Sequence, residues 1–242
     1  MDGQYQWCSE RIVIEFKSYY SSSSGNLNTC SDGETTVCID FGVSFKTATK
    51  ALNFKISDIS GILCTHGHAD HCKGIPDALK KGVDCYLLPD TIERLKVSGH
   101  RVHEIIIKKL FKIGTLNIFP FPLEHDIPNC GFIIESDGGG KLVYIVDTAY
   151  CRFIFRNVNI FAVECNYSKA VLEENISSGN VPAEIRNRIT RSHFELENVK
   201  EFFLANDLSA VKEIHLIHKS SNNCPDDVKE QIQAITGKEV YV

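Results

Sequence analysis

Apolar residues occur along this chain in short runs, and most runs end at a polar, charged or glycine-rich segment. Residues 11–17 alternate apolar and polar side chains, which is typical of a strand with one buried face. Other runs are continuously apolar, as expected of strands buried on both faces. The pattern predicts strands over 11–17, 35–41, 60–65, 83–87, 103–107, 115–121, 131–136, 141–147, 159–166, 213–218 and 239–242.

Helical segments separate many of these strands, and the residues at 21–26, SSSSGN, predict a flexible loop. The DGGG sequence between 131–136 and 141–147 predicts a hairpin. Alternating strands and helices with interspersed hairpins indicate an α/β (α+β in some schemes) protein with mixed sheets. No repeat, long linker or block of like charge divides the chain, so residues 1–242 are expected to form one domain. Helices are predicted over 44–53, 71–81, 168–177, 182–191, 195–206 and 225–236.

Composition limits the possible functions only loosely. The chain has 242 residues, 43% of them hydrophobic, and a formal net charge of −5, which argues against a generally basic nucleic-acid binder. A local basic patch remains compatible with that total. Its ten cysteines lie mostly in apolar runs without a CxxC pair, as expected of reduced, buried residues. We expect a cytoplasmic protein, because neither a signal peptide nor an apolar run of about 18 residues is present.

The segment CTHGHADHC at 64–72 concentrates groups that bind metal ions. His66, His68, Asp70 and His71 follow directly on the apolar run GILC, so they are expected on a turn between a strand and a helix. Imidazole and carboxylate are ligands of borderline divalent ions such as zinc. A solvated loop that happens to be rich in histidine is the alternative, and the position at a strand end favours a metal site.

Other ligands of such a site must come from distant parts of the chain. His125, Asp147 and His218 each stand at the end of a predicted strand, where α/β folds gather their sites. Each is weak evidence alone, because isolated histidines are commonly structural. His215 is expected on the opposite face of its strand from His218. We interpret His215, His100 and His103 as structural residues.

The order of these residues resembles the pattern of metallo-β-lactamase-fold hydrolases. That order is HxHxDH, then an isolated histidine, an aspartate at a strand end and a late histidine. The resemblance runs from about residue 11 to the C-terminus and implies a four-layer αββα sandwich of two mixed β-sheets. It also implies two divalent metal ions, with Zn²⁺ expected and Mn²⁺ as the alternative. By similarity, His66, His68 and His125 would bind one ion, Asp70, His71 and His218 the other, and Asp147 would bridge them.

Three further segments indicate one branch of this family. They resemble the WalJ (YycJ) exonuclease-like branch, which is related to RNase Z and RNase J. The segments are SSSSGN after the first strand, VECNY at 163–167, and SHFELENVKEFF followed later by HLIHKSSNN. The chain has no room for the β-CASP insertion of RNase J. No segment resembles the tRNA-binding arm of RNase Z. The longer serine loop and the basic stretch at 179–191 depart from the pattern and leave the substrate open.

This resemblance predicts a two-metal phosphodiester hydrolase, most simply a DNA or RNA exonuclease that uses a metal-bridging hydroxide. Asp70 is expected to orient the hydroxide as well as bind metal. His193, just ahead of a predicted helix, is expected to contact the scissile phosphate and act as general acid. Ser192 and Glu195 also fit a helix capping box, which would leave His193 exposed; both interpretations can hold together.

Candidate substrate contacts lie around these positions. Arginine matches phosphate oxygens, and 186–191 contains three arginines, although a solvated helix face is the alternative interpretation. Glu164 and Asn166 are expected to orient metal ligands. A small-molecule hydrolase, such as a cyclic-nucleotide phosphodiesterase, and a non-catalytic nucleotide-binding module are the competing functions. The residues predicted to bind a nucleic-acid or nucleotide substrate are Ser23, Asn26, Arg191, His193 and Lys219.

Overall fold

Two β-sheets face each other in the computed structural model, which describes residues 14–242. The first sheet has six strands in sequence order, and antiparallel pairing between β1, β2 and β3 changes to parallel pairing from β3 onward. Its strands are β1 (Glu15–Ser22), β2 (Gly25–Ser31), β3 (Thr36–Phe41), β4 (Gly61–Leu63), β5 (Cys85–Leu87) and β6 (Val102–Glu104).

The second sheet has seven strands in the order β13-β12-β11-β10-β9-β8-β7. Strands β7 to β10 pair antiparallel, and β10 to β13 pair parallel. The sheet comprises β7 (Phe111–Ile113), β8 (Leu116–Leu123), β9 (Asn129–Ser136), β10 (Lys141–Ile145), β11 (Ile160–Glu164), β12 (Glu213–Ile217) and β13 (Glu239–Tyr241).

Helices cover the outer face of each sheet. The buried side chains of Phe16, Ile39, Phe132 and Tyr144 fill the space between the sheets, and separate apolar clusters join each sheet to its own helices. This confirms the predicted αββα sandwich of two mixed sheets. The helices are α1 (Phe45–Ala51), α2 (Ala69–Cys72), α3 (Ile75–Lys80), α4 (Pro89–Leu95), α5 (Lys169–Ser177), α6 (Arg186–Ser192), α7 (Leu196–Ala205) and α8 (Val228–Thr236).

Local sequence explains several boundaries. Ser44 caps α1 by accepting a hydrogen bond from the Thr47 amide at 3.1 Å. The β9–β10 hairpin has the predicted position, and Gly139 and Gly140 supply the left-handed backbone that its turn needs, with φ of 100° at each. α8 ends at Gly237, which has φ of 64°.

The structure differs from the sequence predictions in identifiable places. The helix predicted over 71–81 is two helices, because Pro76 lies in the first turn of α3 and the backbone at Gly74 approaches Val43 too closely for a side chain. Residues 21–26 form a tight hairpin rather than a flexible loop. Strands β2 and β7 and helix α4 were not predicted. The part of the first predicted strand at 11–13 lies outside the described residues.

The nine cysteines within residues 14–242 are buried and unpaired, in agreement with the expectation from sequence. No helix of the same residues is both long and apolar enough to cross a membrane.

Candidate metal centre

Four strand ends from the two sheets meet at one edge of the sandwich. The turn His66–His71 follows β4 of the first sheet. His125, Asp147 and His218 lie just beyond β8, β10 and β12 of the second sheet. The fold therefore brings together all seven residues that the resemblance assigns to metal binding.

Three histidines converge through their ring nitrogens, and we call His66, His68 and His125 the first donor group. His68 Nδ1 lies 3.0 Å from His66 Nε2 and 3.2 Å from His125 Nε2. Asp147 Oδ2 lies 3.3 Å from His66 Nε2 and 4.0 Å from His125 Nε2. Three imidazole nitrogens and one carboxylate oxygen thus surround a single point.

Asp70, His71 and His218 form a second donor group beside the first. Asp70 Oδ2 lies 3.4 Å from His71 Nε2 and 3.5 Å from His218 Nε2. Asp147 Oδ2 also lies 2.9 Å from His71 Nε2. One oxygen of Asp147 therefore lies close to histidine nitrogens of both groups.

The donor chemistry fits metal ions. The ligand atoms of each group, with Asp147, lie within 4.8 Å of one another. Each neutral imidazole has one nitrogen that carries a lone pair, so converging imidazoles can turn their lone pairs to a common point. A cation satisfies those lone pairs and the carboxylate together, and this N/O donor set suits zinc, manganese and related divalent ions.

A buried carboxylate, that of Asp40, contacts His71 of the second donor group through the ring nitrogen Nδ1. Asp40 Oδ2 lies 2.8 Å from His71 Nδ1, and Asp40 Oδ1 accepts hydrogen bonds from the amide and hydroxyl of Thr65, both at 2.9 Å. Burial lowers the pKa of His71, but Asp40 and Asp147 outweigh it and raise that pKa well above its usual value. Asp40 was not predicted as a site residue, because it lies within the apolar sequence of β3.

Glu164 supports His218 in the same way. Its Oε1 lies 3.0 Å from His218 Nδ1 and 2.7 Å from His193 Nδ1. Asn166 donates from its amide to the main-chain oxygen of His218 at 2.8 Å. Both residues therefore contact His218, one through its ring and one through its backbone.

His193 lies at the edge of the centre with its Nδ1 directed at Glu164. Burial lowers its pKa, but the carboxylates of Glu164 and Asp147 more than offset this and raise the pKa of His193 to about 9. The suggested capping box differs from the structure: Ser192 ends α6, and Glu195 itself caps α7 by accepting hydrogen bonds from the Glu197 and Asn198 amides. His193 is 18% exposed and not free in solvent.

Two adjoining clefts open above the donor groups. One, of about 250 Å³, is lined by Asp70, His125 and His193 among others. The other, of about 600 Å³, extends past His193 to Lys219. Ser23 and Arg188 border both clefts.

Two predicted substrate contacts differ from this arrangement. Asn26 is completely buried and donates to the main-chain oxygen of Asp70 at 3.1 Å, so it is placed behind the metal centre and not at the cleft. Arg191 is exposed but lines neither cleft, whereas Arg188 lines both. The run of arginines indicated a basic wall, but only the packing of α6 determines which of them reaches the opening. Ser23, His193 and Lys219, also predicted as substrate contacts, line the larger cleft.

Comparison with protein-family models decides the family. A model described as the beta-lactamase superfamily domain matches residues 35–218, which include all seven donor residues. The chain belongs to the beta-lactamase superfamily. The predicted family and the predicted class, a hydrolytic enzyme of the metallo-β-lactamase fold, are thereby confirmed.

Known members of the superfamily resemble the chain to different extents. An exodeoxyribonuclease YycJ of Bacillus anthracis is 28% identical over 229 residues, covering 87% of this chain and 84% of that protein. A ribonuclease Z of Azobacteroides pseudotrichonymphae is 29% identical over 148 residues, covering 52% of this chain and 48% of that protein. The first similarity extends over most of both chains.

The same fold occurs in a solved superfamily structure. The metallo-beta-lactamase fold protein YhfI from Bacillus subtilis superposes with a TM-score of 0.73 at 15% identity, over 94% of this chain and 95% of that one. At this identity the likeness concerns the fold alone. It agrees with the two-sheet sandwich described above.

The remaining histidines lie outside the centre. His215 stacks on Tyr241, with ring centroids 4.8 Å apart, and its Nε2 lies 3.0 Å from Glu213. His103 lies 2.8 Å from Asp84, and His100 is exposed. None of the three joins a donor group within residues 14–242, in agreement with their interpretation as structural residues.

Proposed function

We propose that this chain is a two-metal phosphodiester hydrolase that acts on nucleic acid as an exonuclease. Zn²⁺ is the ion that best matches five histidines and two aspartates, and Mn²⁺ is the alternative. The similarity to proteins named exodeoxyribonuclease YycJ and ribonuclease Z supports a nucleic-acid substrate. The proposal leaves open whether that nucleic acid is DNA or RNA.

Two bound divalent ions supply a water molecule activated at neutral pH and neutralise charge on the phosphoryl oxygens. The chain's own groups do the rest. Asp147 holds the two donor groups at a fixed separation through its shared oxygen. Asp70, whose side chain is 21% exposed at the cleft, orients the attacking water by accepting a hydrogen bond.

His193 supplies the proton that the leaving oxygen needs. Its Nδ1 donates to Glu164 at 2.7 Å, which leaves Nε2 as the nitrogen available to substrate. A pKa of about 9 keeps the ring protonated at neutral pH, as a general acid requires. Glu164 fixes the ring and stabilises its positive charge.

Positive charge beside the centre allows an acidic protein to hold a phosphate backbone. Arg188 lines both clefts, Lys219 lines the larger one, and Ser23 offers a hydroxyl at their junction. Arginine and lysine that neutralise phosphates supply most of the affinity for nucleic acid without regard to sequence. A cleft of about 600 Å³ lies within the usual size range of small-ligand sites, which suits a terminal nucleotide.

The observation that carries the proposal is the sharing of one Asp147 oxygen between two complete donor groups, with His193 beside them. This arrangement matches an in-line displacement at phosphorus, in which one side activates water and the other protonates the leaving group.

The test is cleavage of end-labelled single- and double-stranded DNA and RNA with Zn²⁺, Mn²⁺ or Mg²⁺ added to metal-free protein. We expect mononucleotides to be released from one end in the presence of Zn²⁺ or Mn²⁺ and no cleavage in chelator. Turnover of cyclic nucleotides without oligonucleotide cleavage would instead indicate a small-molecule phosphodiesterase. Two bound ions without any turnover would indicate a nucleotide-binding module.

The role of His193 is tested by His193→Ala. We expect its cleavage rate to fall by about a hundredfold or more, which is the usual contribution of a positioned general acid. His100→Ala is the matched control, because His100 is exposed and distant in sequence from every donor residue. If His193→Ala and His100→Ala both cleave at the wild-type rate, the assigned role is wrong.

A further inference from the structure

Three buried asparagines contact the backbone of metal-binding residues. The side-chain amide of Asn26 donates to the main-chain oxygen of Asp70 at 3.1 Å. That of Asn129 donates to Asp147 O at 2.7 Å, and that of Asn166 donates to His218 O at 2.8 Å. Each contacted carbonyl therefore belongs to the second donor group or to Asp147.

These amides are built into the protein interior. Asn26 is 0%, Asn129 4% and Asn166 9% exposed. The Nδ2 atom of Asn129 lies between two carbonyl oxygens, 2.9 Å from Val146 O and 2.7 Å from Asp147 O. Because both neighbours only accept hydrogen bonds, the group between them must be the NH₂ of the amide. Each residue thus acts as a hydrogen-bond donor.

Two of the contacted ligands have an unusual backbone. Asp147 has φ of 51° and His218 has φ of 53°, in the left-handed region that residues with a side chain rarely adopt. Such a conformation persists only where surrounding contacts hold it. Asn129 bonds the carbonyls on both sides of the Asp147 Cα atom, and Asn166 bonds the carbonyl of His218. Two of the asparagines therefore donate hydrogen bonds at residues whose backbone is strained.

The first donor group has no such support among residues 14–242. The main-chain oxygen of His66 is contacted by the thiol of Cys64, at 3.1 Å, which is a weak donor. No asparagine amide in the described part of the chain donates to the carbonyls of His66, His68 or His125. Two of the three amide contacts are therefore made to the second group, and the third is made to Asp147, which both groups share.

We propose that Asn26, Asn129 and Asn166 are positioning residues that hold Asp70, Asp147 and His218 in the geometry required to bind the second ion. Their amides fix the direction of the ligand backbones, so the three carboxylate and imidazole groups converge before any ion arrives. The proposal rests on the metal site of the proposed function but not on its substrate.

The experiment measures metal binding without cleavage. Metal-free wild type, Asn26→Leu, Asn129→Leu and Asn166→Leu are titrated with Zn²⁺ against a chromophoric chelator, and the Co²⁺ absorption spectrum of each is recorded. Leucine has a similar size and donates no hydrogen bond. We expect Asn26→Leu and Asn166→Leu to keep one ion at wild-type affinity and to bind the other about 10- to 100-fold more weakly, as for other groups that orient metal ligands. Asn129→Leu acts on the shared Asp147 and is expected to weaken the binding of both ions.

Asn206→Leu is the matched control. Asn206 is also buried, at 8% exposure, and its amide donates to Phe202 O at 2.7 Å, far from any donor residue in sequence. We expect a lower melting temperature but two ions bound at wild-type affinity. A loss of metal affinity in Asn206→Leu equal to that of the other variants would overturn the proposal, because the effect would then be general destabilisation.

Asn166→Ser covers the case in which leucine at the buried positions prevents folding. Asn166 is the most exposed of the three, and serine introduces no apolar group. We expect the same selective weakening of one ion. Wild-type affinity for both ions in Asn166→Ser and in every leucine variant that folds would contradict the proposal. A wild type that binds a single ion would contradict the two-metal site itself, which distinguishes that failure from failure of the asparagines.

Discussion

The two donor groups contain similar residues but differ in the groups that contact the Nδ1 atoms of their histidines. In the second group, Asp40 contacts His71 Nδ1 at 2.8 Å and Glu164 contacts His218 Nδ1 at 3.0 Å, and both carboxylates are completely buried. In the first group, His66 Nδ1 meets only the hydroxyl of Thr65, at 3.0 Å. His125 Nδ1 is buried without a hydrogen-bond partner among the described residues.

The pKa values of the histidine rings differ between the two groups in a corresponding way. Burial and the neighbouring His71 lower the pKa of His66 to about 4, and burial also lowers the pKa of His125. Burial acts on His218 in the same direction, but Asp147, Asp70 and Glu164 outweigh it and raise its pKa well above the usual value. His66 and His125 thus favour the neutral imidazole, which can bind a metal directly, whereas carboxylates polarise the rings of His71 and His218.

The residues of the two donor groups are thus held in position in different ways. The first group depends on the convergence of rings delivered by a tight turn and one strand end. The second depends on buried charges and on strained strand ends, where Asp147 and His218 have left-handed backbones. A left-handed residue costs about 1–3 kcal/mol and needs compensation nearby. We therefore expect the second group to be more sensitive to substitution outside its ligands.

The largest effect is expected from Asp147→Ala, which removes the oxygen common to both groups. Bound metal should fall from two ions per chain to at most one, because each group loses a ligand and the bridge between them. Cleavage should fall by about a thousandfold or more, since a barrier higher by about 4 kcal/mol slows a reaction to this extent. Metal content is measured by elemental analysis after dialysis, and cleavage by the oligonucleotide assay.

Asp137→Ala is the control for this substitution. Asp137 is an exposed aspartate at the β9–β10 turn that pairs with Lys112, and it should retain two ions and full cleavage. Retention of both ions by Asp147→Ala at wild-type affinity would show that the groups are independent, and the comparison between two halves of one centre would fail.

Asp40→Asn is expected to have the next largest effect, and on one group only. The amide keeps the size of the side chain but removes the charge that polarises His71. Affinity for one ion should decrease about 10- to 100-fold, as found when a carboxylate behind a metal-bound histidine is replaced. Affinity for the other should change less than about threefold. Calorimetric titration with Zn²⁺ separates the two binding steps, and equal weakening of both would contradict the assignment of Asp40 to the second group.

The donor residues could be singled out from sequence because they lie at or just after the ends of apolar runs. Strand ends of facing sheets meet at an edge, so His125, Asp147 and His218 could be connected with the 66–71 turn without knowledge of the structure. The resemblance then supplied the division into two sets. Strands such as β10 and β11 were equally clear, because burial on both faces leaves a continuous apolar run.

The supporting residues could not be predicted in the same way. Asp40 lies inside the apolar run of β3, and Asn129 begins β9, so neither position carries a local signal of its partner. Asn26 was expected at the substrate because it follows four serines, but the β1–β2 hairpin turns it inward toward Asp70. Contacts made across a large sequence separation depend on the packing of the sheets, which periodicity does not encode.

The smallest effect is expected from Asp126→Asn, which tests whether the first group has a carboxylate of its own. Asp126 Oδ1 lies 3.0 Å from His125 Nε2 and 3.5 Å from His68 Nε2, but its side chain is 49% exposed. Water screens an exposed charge, so such pairs contribute little. We expect affinity for either ion to change less than about threefold. A tenfold loss in the same Zn²⁺ titration would show that a carboxylate also supports the first group, and the asymmetry between the halves would then reside only in burial.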